Sequence, residues 1–241
     1  MTSDVGDSCA AYPYCHIQNI SRITSAAYGS PAPVKDPAAD HGVAVAKTAE
    51  TQQDRTDTAN QILDVAERLV QVRGFNAFSY ADVAKEVHIS TASLHYHFPS
   101  KSELGEALIA RYANRFMAAL GEIDEGVADH PRKLAAYVEL YVGVLRNERM
   151  CLCGMLAAEH ETLSAAMQSA VVKFFEKNEA WLAEVLQQGR DQGSLRFAGS
   201  PLEEARSIVS ALEGAMLVAR SFGDINRFQA VAGHLLTSLR P

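Results

Sequence analysis

The sequence predicts an all-α protein: a small three-helix N-terminal head with a helix-turn-helix, followed by a larger helical bundle. Three observations predict it. Apolar residues recur at helical spacing from about Thr58 onward, with no convincing alternating strand. Ser, Gly and Pro punctuate that pattern where helices begin and end. Two short helical segments joined by a tight turn lie between Ser79 and Phe98.

The elements follow in order. Residues 1–50 contain Pro13, Pro31, Pro33 and Pro37 and no sustained periodicity, and read as a disordered tail. Ile62, Val65, Ala66 and Leu69 then share one helix face, widened by Leu63 and Val70. Gly74 stands where a left-handed residue closes that helix. Ser79 caps a second helix ending near Val87, with Asp82 three residues on as a near capping box. Ser90 caps a third, from about Thr91 to Phe98. Pro99 breaks the pattern, and Ser100 starts a long helix over Lys101–Glu125. Further helices are expected near 131–148, 152–160, 164–191, 201–221 and 225–239. Breaks fall at Asn147-Glu148, Gln192-Gly193-Ser194, Gly199-Ser200-Pro201 and Gly223-Asp224. The chain thus divides into a tail (1–50), a head (51–105) and a bundle (106–241).

Bulk properties narrow the function. Of 241 residues, 48% are hydrophobic, enough for a real core. No apolar run approaches the roughly 18 residues that cross a bilayer, so no membrane partner is expected. Met1–Ala10 carries two aspartates and has no basic-then-apolar leader pattern, and the expectation is a soluble cytoplasmic protein. The net charge of -7 argues against general nucleic-acid affinity, so any DNA contact must come from a local surface. There is no Gly-rich phosphate loop, HExxH or nucleophile elbow. An enzyme is not expected, nor a cofactor or a metal site.

Phe78 to Lys101 reads FSYADVAKEVHISTASLHYHFPSK. Val83, Ala84 and Val87 on its first helix should pack against Ile89, Leu94 and Phe98 around the second. The second helix then exposes Thr91, Ala92, Ser93, His95, Tyr96 and His97, small hydroxyls and hydrogen-bonding rings suited to a major groove. This stretch resembles the TetR/AcrR family of bacterial transcriptional regulators. The resemblance runs from Thr58 to about Leu108, through Arg73-Gly74-Phe75 and Ser79-Tyr80-Ala81-Asp82-Val83-Ala84. It is most specific in Ser90-Thr91-Ala92-Ser93-Leu94-His95-Tyr96-His97-Phe98-Pro99-Ser100-Lys101, followed by Glu103-Leu104. Beyond it, the bundle is similar only in helix order and length.

The resemblance implies a sequence-specific DNA-binding regulator, a repressor released from operator DNA by a small-molecule effector. It implies that Ser79 and the amides after it hold a phosphate, with Tyr80 nearby. Thr91, Ala92 and Ser93 would face base edges, and His97 is a further DNA-binding candidate on the same helix. His95, Tyr96 and Lys101 would touch the DNA backbone, and Arg55 would reach it from the first helix. Two positions depart from the family: His88 replaces the usual turn glycine, and His95 replaces a usual tyrosine. No Lys or Arg lies in the recognition helix, so the arginine–guanine fork is unavailable from it. Between Arg55 and Arg115, seven Lys/Arg balance seven Asp/Glu, which predicts few phosphate contacts and a shallow salt dependence.

Two features concern the bundle. Ser207, Ala211, Ala215 and Ala219 form a row of small side chains at spacing four, with Gly214 and Val218 beside it. Phe228, Val231 and Leu235 extend the surface on the last helix. The family pattern places these two helices in a homodimer interface, so that two heads read a palindromic operator. The large side chains Phe116, Tyr137, Tyr141, Met155, His160, Phe174, Phe175 and Trp181, with Cys151 and Cys153, are the candidate effector pocket. The resemblance implies that a ligand there tilts the long helix that starts at Lys101.

Three readings of Cys151-x-Cys153 stay open: buried structural thiols, an oxidant- or electrophile-sensing pair with Arg149 favouring the thiolate, or metal binding with His160. The second would make the chain a thiol-based redox repressor. Rival classes are an inert-headed helical adaptor and a regulator without an effector.

Overall fold

The structure, a computed structural model, describes residues 45–241, with side chains from Asp54 onward. The expected tail up to residue 44, with Cys9 and Cys15, lies outside the described residues. Among the described residues there are nine α-helices, one 3-10 turn and no strand. They are α1 (Val45–Arg73), α2 (Tyr80–Val87), α3 (Thr91–His97), α4 (Lys101–Gly126) and α5 (His130–Arg146). After them come α6 (Leu152–Ala158), the turn His160–Thr162, α7 (Ala165–Asp191), α8 (Pro201–Phe222) and α9 (Ile225–Ser238).

Side-chain caps explain most of the boundaries. Ser79, Ser90, Ser100, Ser164 and Ser200 each accept a hydrogen bond from the amide three residues on, satisfying a donor that the first helical turn leaves unpaired. Ser79 with Asp82, and Ser200 with Glu203, form complete capping boxes. Asp129 and Asp224 cap α5 and α9. Two expectations shift. The first helix begins at Val45, ahead of Thr58, and the segment expected as helix to residue 160 ends at Ala158 before the 3-10 turn.

The head is built on α1 to α3. Ile62, Ala66 and Leu69 of α1, Val83 and Ala84 of α2, and Leu94 and Phe98 of the third unit close one apolar core, with Val87 and Ile89 half-buried at its edge. Gly74 leaves α1 at φ 94°, a conformation that L side chains rarely adopt. The α2–α3 turn carries His88 at φ 59° and ψ 39°, in the left-handed region where glycine would be free of strain.

In the bundle, α4, α5, α7, α8 and α9 pack around one continuous core, and α6 is wedged under the head. Glycine permits the tightest approach along α4: a Cβ on Gly105 would sit 2.4 Å from Met167 of α7 and 3.1 Å from the Phe75 ring of the head.

Polar groups tie the head to the bundle. Phe75 N and Asn76 N donate to the Glu159 carboxylate at 2.6 and 3.3 Å, and Asn76 Nδ2 donates to Thr162 Oγ1 at 2.7 Å. Arg220 of α8 donates to the Gln71 carbonyl at 3.0 Å and to that of Val72. Arg111 and Arg115 of α4 share the buried Glu67 carboxylate of α1.

Two outcomes follow. His88→Gly removes left-handed strain of about 1–2 kcal/mol but adds unfolded-state freedom, so it should stabilise the chain by up to about 1 kcal/mol. The readout is the midpoint of chemical unfolding, and a lower midpoint would contradict the strain argument. Glu159→Ala leaves the Phe75 and Asn76 amides without their carboxylate. Hydrogen exchange at those two amides should accelerate while exchange within α7 stays unchanged.

Candidate functional site

The head presents α3 as an exposed face. Leu94 is buried, while Thr91, Ala92, His95 and Tyr96 are exposed and Ser93 and His97 are half-exposed. Tyr96 stands out at 63% exposure. The Arg55 guanidinium lies 4.9 Å from the Tyr96 ring centroid, so the fold joins two candidates that the sequence holds far apart. The His97 ring also meets Tyr96, edge-on at 5.5 Å.

Other expected DNA contacts are already engaged inside the head. The Ser79 hydroxyl and amide both donate to Asp82 Oδ2 at 2.7 Å, and these bonds hold the Asp82 carboxyl below its usual range. Asp82 thus takes the two donors of Ser79 itself. Tyr80 donates its hydroxyl to the Phe98 carbonyl at 2.8 Å, and burial pushes its pKa up to about 12. Lys101 turns inward: its ammonium donates to the Phe78 carbonyl at 2.6 Å and lies over the Phe75 and Phe78 rings, and burial lowers its pKa. His95 packs against Tyr80 at 4.6 Å, with Nδ1 3.2 Å from the Pro99 carbonyl. Of the seven cations in the head region, Arg68, Arg111 and Arg115 pair with acids and Lys101 with a carbonyl.

In the bundle, Phe116, Tyr137, Tyr141 and Phe174 do come together. Phe116 meets Tyr137, Tyr141 and Phe174 at centroid distances of 6.4, 6.4 and 5.2 Å. Phe175 and Trp181 flank them, Trp181 stacked on Tyr137 at 5.7 Å with its Nε1 donating to Asp124 at 2.7 Å. Three members were missed in the sequence. Asn178 accepts from the Tyr137 hydroxyl at 2.9 Å and donates to that of Tyr141 at 3.3 Å. It continues the apolar row of Met167, Val171, Phe174 and Leu182 on α7, which was the available signal. Tyr112 packs on Phe174 at 5.6 Å and donates to Cys151 Sγ at 3.6 Å. Glu213 of α8 faces Cys151, and on sequence it is an ordinary helix acid. His160 is exposed on the 3-10 turn beneath the head, not among these rings; the helix ends at Ala158 and turns it outward. Met155 is half-buried on α6.

The cysteine question resolves toward buried thiols. Cys151 and Cys153 are free and enclosed, and burial together with the Glu213 carboxyl pushes both thiols well up. Arg149 answers instead to Glu67, Arg68, Arg115 and Asp64, so the cation expected to favour a thiolate faces elsewhere. Among the described residues no three His, Cys, Asp or Glu side chains are grouped to hold a metal ion.

The expected dimer surface splits in two. Ser207, Gly214, Val218 and Val231 are exposed, Ala211 and Leu235 partly so. Ala215, Ala219 and Phe228 are buried within the chain, because they point back onto the bundle, and Phe228 stacks on Tyr141 at 6.3 Å. Leu217 and Phe222, at 52% and 62% exposure, take their place on the outer face of α8. No helix of the described residues is long and apolar enough to cross a membrane.

Residues 62–108 match the model of bacterial regulatory proteins of the tetR family, and residues 131–235 match the tetracyclin repressor-like C-terminal domain. A TetR-family transcriptional regulator from Agrobacterium tumefaciens is 33% identical, with a TM-score of 0.76 over 78% of this chain and 100% of that one. The chain belongs to the tetR family. It is a DNA-binding transcriptional regulator. A TetR regulator from Legionella pneumophila is 34% identical, with a TM-score of 0.69 over 75% of this chain and 96% of that one. The HTH-type transcriptional repressor NemR of Escherichia coli K12 is 28% identical over 69% of this chain and 87% of its own length.

The pH dependence of stability tests the buried acid. Burial raises the Glu213 carboxyl from 4.5 to about 7. The folded chain then keeps a proton that the unfolded chain has lost. This contribution is complete below about pH 4.5, declines as pH rises toward 7 and levels off above it. The thermal midpoint of Glu213→Gln, relative to wild type, should therefore rise between about pH 5 and 8. A parallel pair of curves would show that the carboxyl is not buried.

Proposed function

We propose that this tetR-family chain is a homodimeric repressor that leaves its operator when a small molecule enters the bundle. The observation that carries the reading is the exposed polar face of α3, backed by buried Leu94 and completed by Arg55 against Tyr96. A seven-residue helix with small residues at its start and aromatic and imidazole groups at its end fits a major groove flanked by phosphates. Thr91, Ala92 and Ser93 would read base edges, with His97; Tyr96, Arg55 and His95 would meet the backbone. Ser79, Tyr80 and Lys101 serve mainly as the frame that holds α3. Repression is supported by the similarity to NemR and to DhaR of Mycobacterium sp., each described as an HTH-type transcriptional repressor.

The dimer reading rests on Leu217, Val218 and Phe222 of α8 and Val231 of α9, large apolar side chains left in solvent by a single chain. Gly214 adds an open notch, since nothing lies within 4 Å of where its Cβ would be. A Leu217→Glu, Val218→Glu double variant should sediment as a folded monomer and lose operator affinity; an unchanged dimer would move the interface elsewhere.

The deciding experiment is selection of genomic fragments by the purified protein, followed by sequencing. Enrichment of one palindromic site is expected. Tyr96→Ala should weaken binding on the order of tenfold for all sequences with little change in the salt slope, whereas Arg55→Ala should reduce that slope by about one. Lys101→Ala should lower stability more than it alters the salt slope. Absence of enrichment by a folded dimer at low salt would favour the adaptor reading.

A further inference from the structure

Glu213 is a half-buried residue whose carboxyl the bundle encloses and satisfies only in part. Its Oε1 has no hydrogen-bond partner, and its Oε2 lies where a Cβ on Gly154 would be only 2.3 Å away. The Cys151 thiol donates to the carboxyl, and the same sulfur accepts from Gly154 N at 3.4 Å and from the Tyr112 hydroxyl at 3.6 Å. The other groups that feel Glu213 are Cys153, Tyr137 and Tyr141, all held protonated by burial. Among the described residues no lysine, arginine or histidine contributes to the field at this carboxyl. An enclosed oxygen without a hydrogen-bond partner is costly, and such groups in native proteins call for one.

The surroundings restrict that partner. Tyr137, Tyr141, Phe116 and Phe174 pack edge to face with one another, and Tyr137 and Tyr141 lie close enough to the acid to feel its charge. A narrow apolar cleft between α5, α8 and α9 borders the far side of this cluster at Tyr137, lined by Leu212 and not by Glu213. An anion would meet an acid and the electron-rich faces of the rings. A neutral hydrocarbon would leave Oε1 unsatisfied. A cationic nitrogen gains from both features, through a charge-assisted hydrogen bond to the carboxylate and attraction to the ring faces.

We propose that the bundle's ligand is a small amine with an apolar ring, bound as its cation with the nitrogen on Glu213 and the ring among Tyr137, Tyr141 and Phe116. This rests on the reading that the bundle receives an effector. It also assigns α6 a part in the response, because α6 carries Gly154 against Glu213 and is followed directly by Glu159, which holds the Phe75 and Asn76 amides of the head.

Trp181 is the only tryptophan and stacks on Tyr137, so its fluorescence reports on this cluster without DNA. The probes are benzylamine and cyclohexylamine, each matched by its neutral counterpart, benzyl alcohol or cyclohexanol, at neutral pH with the full chain. Saturable changes with the amines are expected, at affinities on the order of tenfold or more above those of the alcohols. Glu213→Gln, checked by thermal unfolding, should remove that preference. Equal binding of amine and alcohol, or no saturable response to either amine by folded wild type, overturns the proposal, and neither result depends on the variant folding. Operator affinity without ligand is measured in parallel. Loss of operator binding alone would sink the repressor proposal, whereas intact operator binding without an amine response overturns the amine site alone.

Discussion

The end of α1 is gripped by two opposite charges from the bundle. A helix that stops in a buried place leaves carbonyls without partners, and the turn after it leaves amides in the same condition. Here Arg220 takes the carbonyls of Gln71 and Val72, and Glu159 takes the amides of Phe75 and Asn76. Neither part of the junction is satisfied by the head alone. The head's orientation on the bundle follows from this exchange, and with it the direction in which α3 faces. Gly74 fits the same constraint: a Cβ there would lie 2.7 Å from the Glu159 carboxylate, in a backbone conformation that already excludes most side chains.

The head and the bundle use polar groups differently. In the head, hydroxyls, an ammonium and a phenol are turned inward to hold short helices that could not persist alone. Lys101 over Phe75 and Phe78, and Tyr80 on the Phe98 carbonyl, replace the packing that an eight-residue and a seven-residue helix lack. What remains outward is a short polar face with one stacked arginine, which suits a chain of net charge -7 that must bind DNA locally rather than generally. In the bundle, Asn178 knits Tyr137 and Tyr141 into a satisfied network, and Glu213 lies beside it unsatisfied. That contrast within one core separates a group that specifies packing from one that awaits a partner.

The α8–α9 surface shows how one helix serves two environments. Ala215, Ala219 and Met216 close the core, while Val218, Leu217 and Phe222, a turn or less away, stand in solvent. Arg227 of α9 covers the Phe222 ring at 3.7 Å, which shields part of that apolar face in a single chain. The same helix supplies Glu213 to the interior and Arg220 to the head, so core, head and outer face meet on a single rigid element.

By itself the sequence determined the helices, their order and most of their ends, because caps such as Ser79, Ser90 and Ser200 and breakers such as Gly223 act within a few residues. It also determined the outward residues of α3, since the buried Leu94 leaves few positions that can face away. Tertiary structure decided where a polar side chain spends its hydrogen bonds. Lys101 and Ser79 have the residue types of phosphate contacts, but nearby backbone and carboxyl groups claim them first. It decided which apolar residues of α8 and α9 are core, because Phe228 and Leu217 are alike in hydrophobicity and differ only in which side of the helix the bundle occupies. It decided, finally, the environment of Glu213. A glutamate in a helix is ordinarily solvated, whereas this one has its carboxyl against Gly154 of α6 and raised by burial.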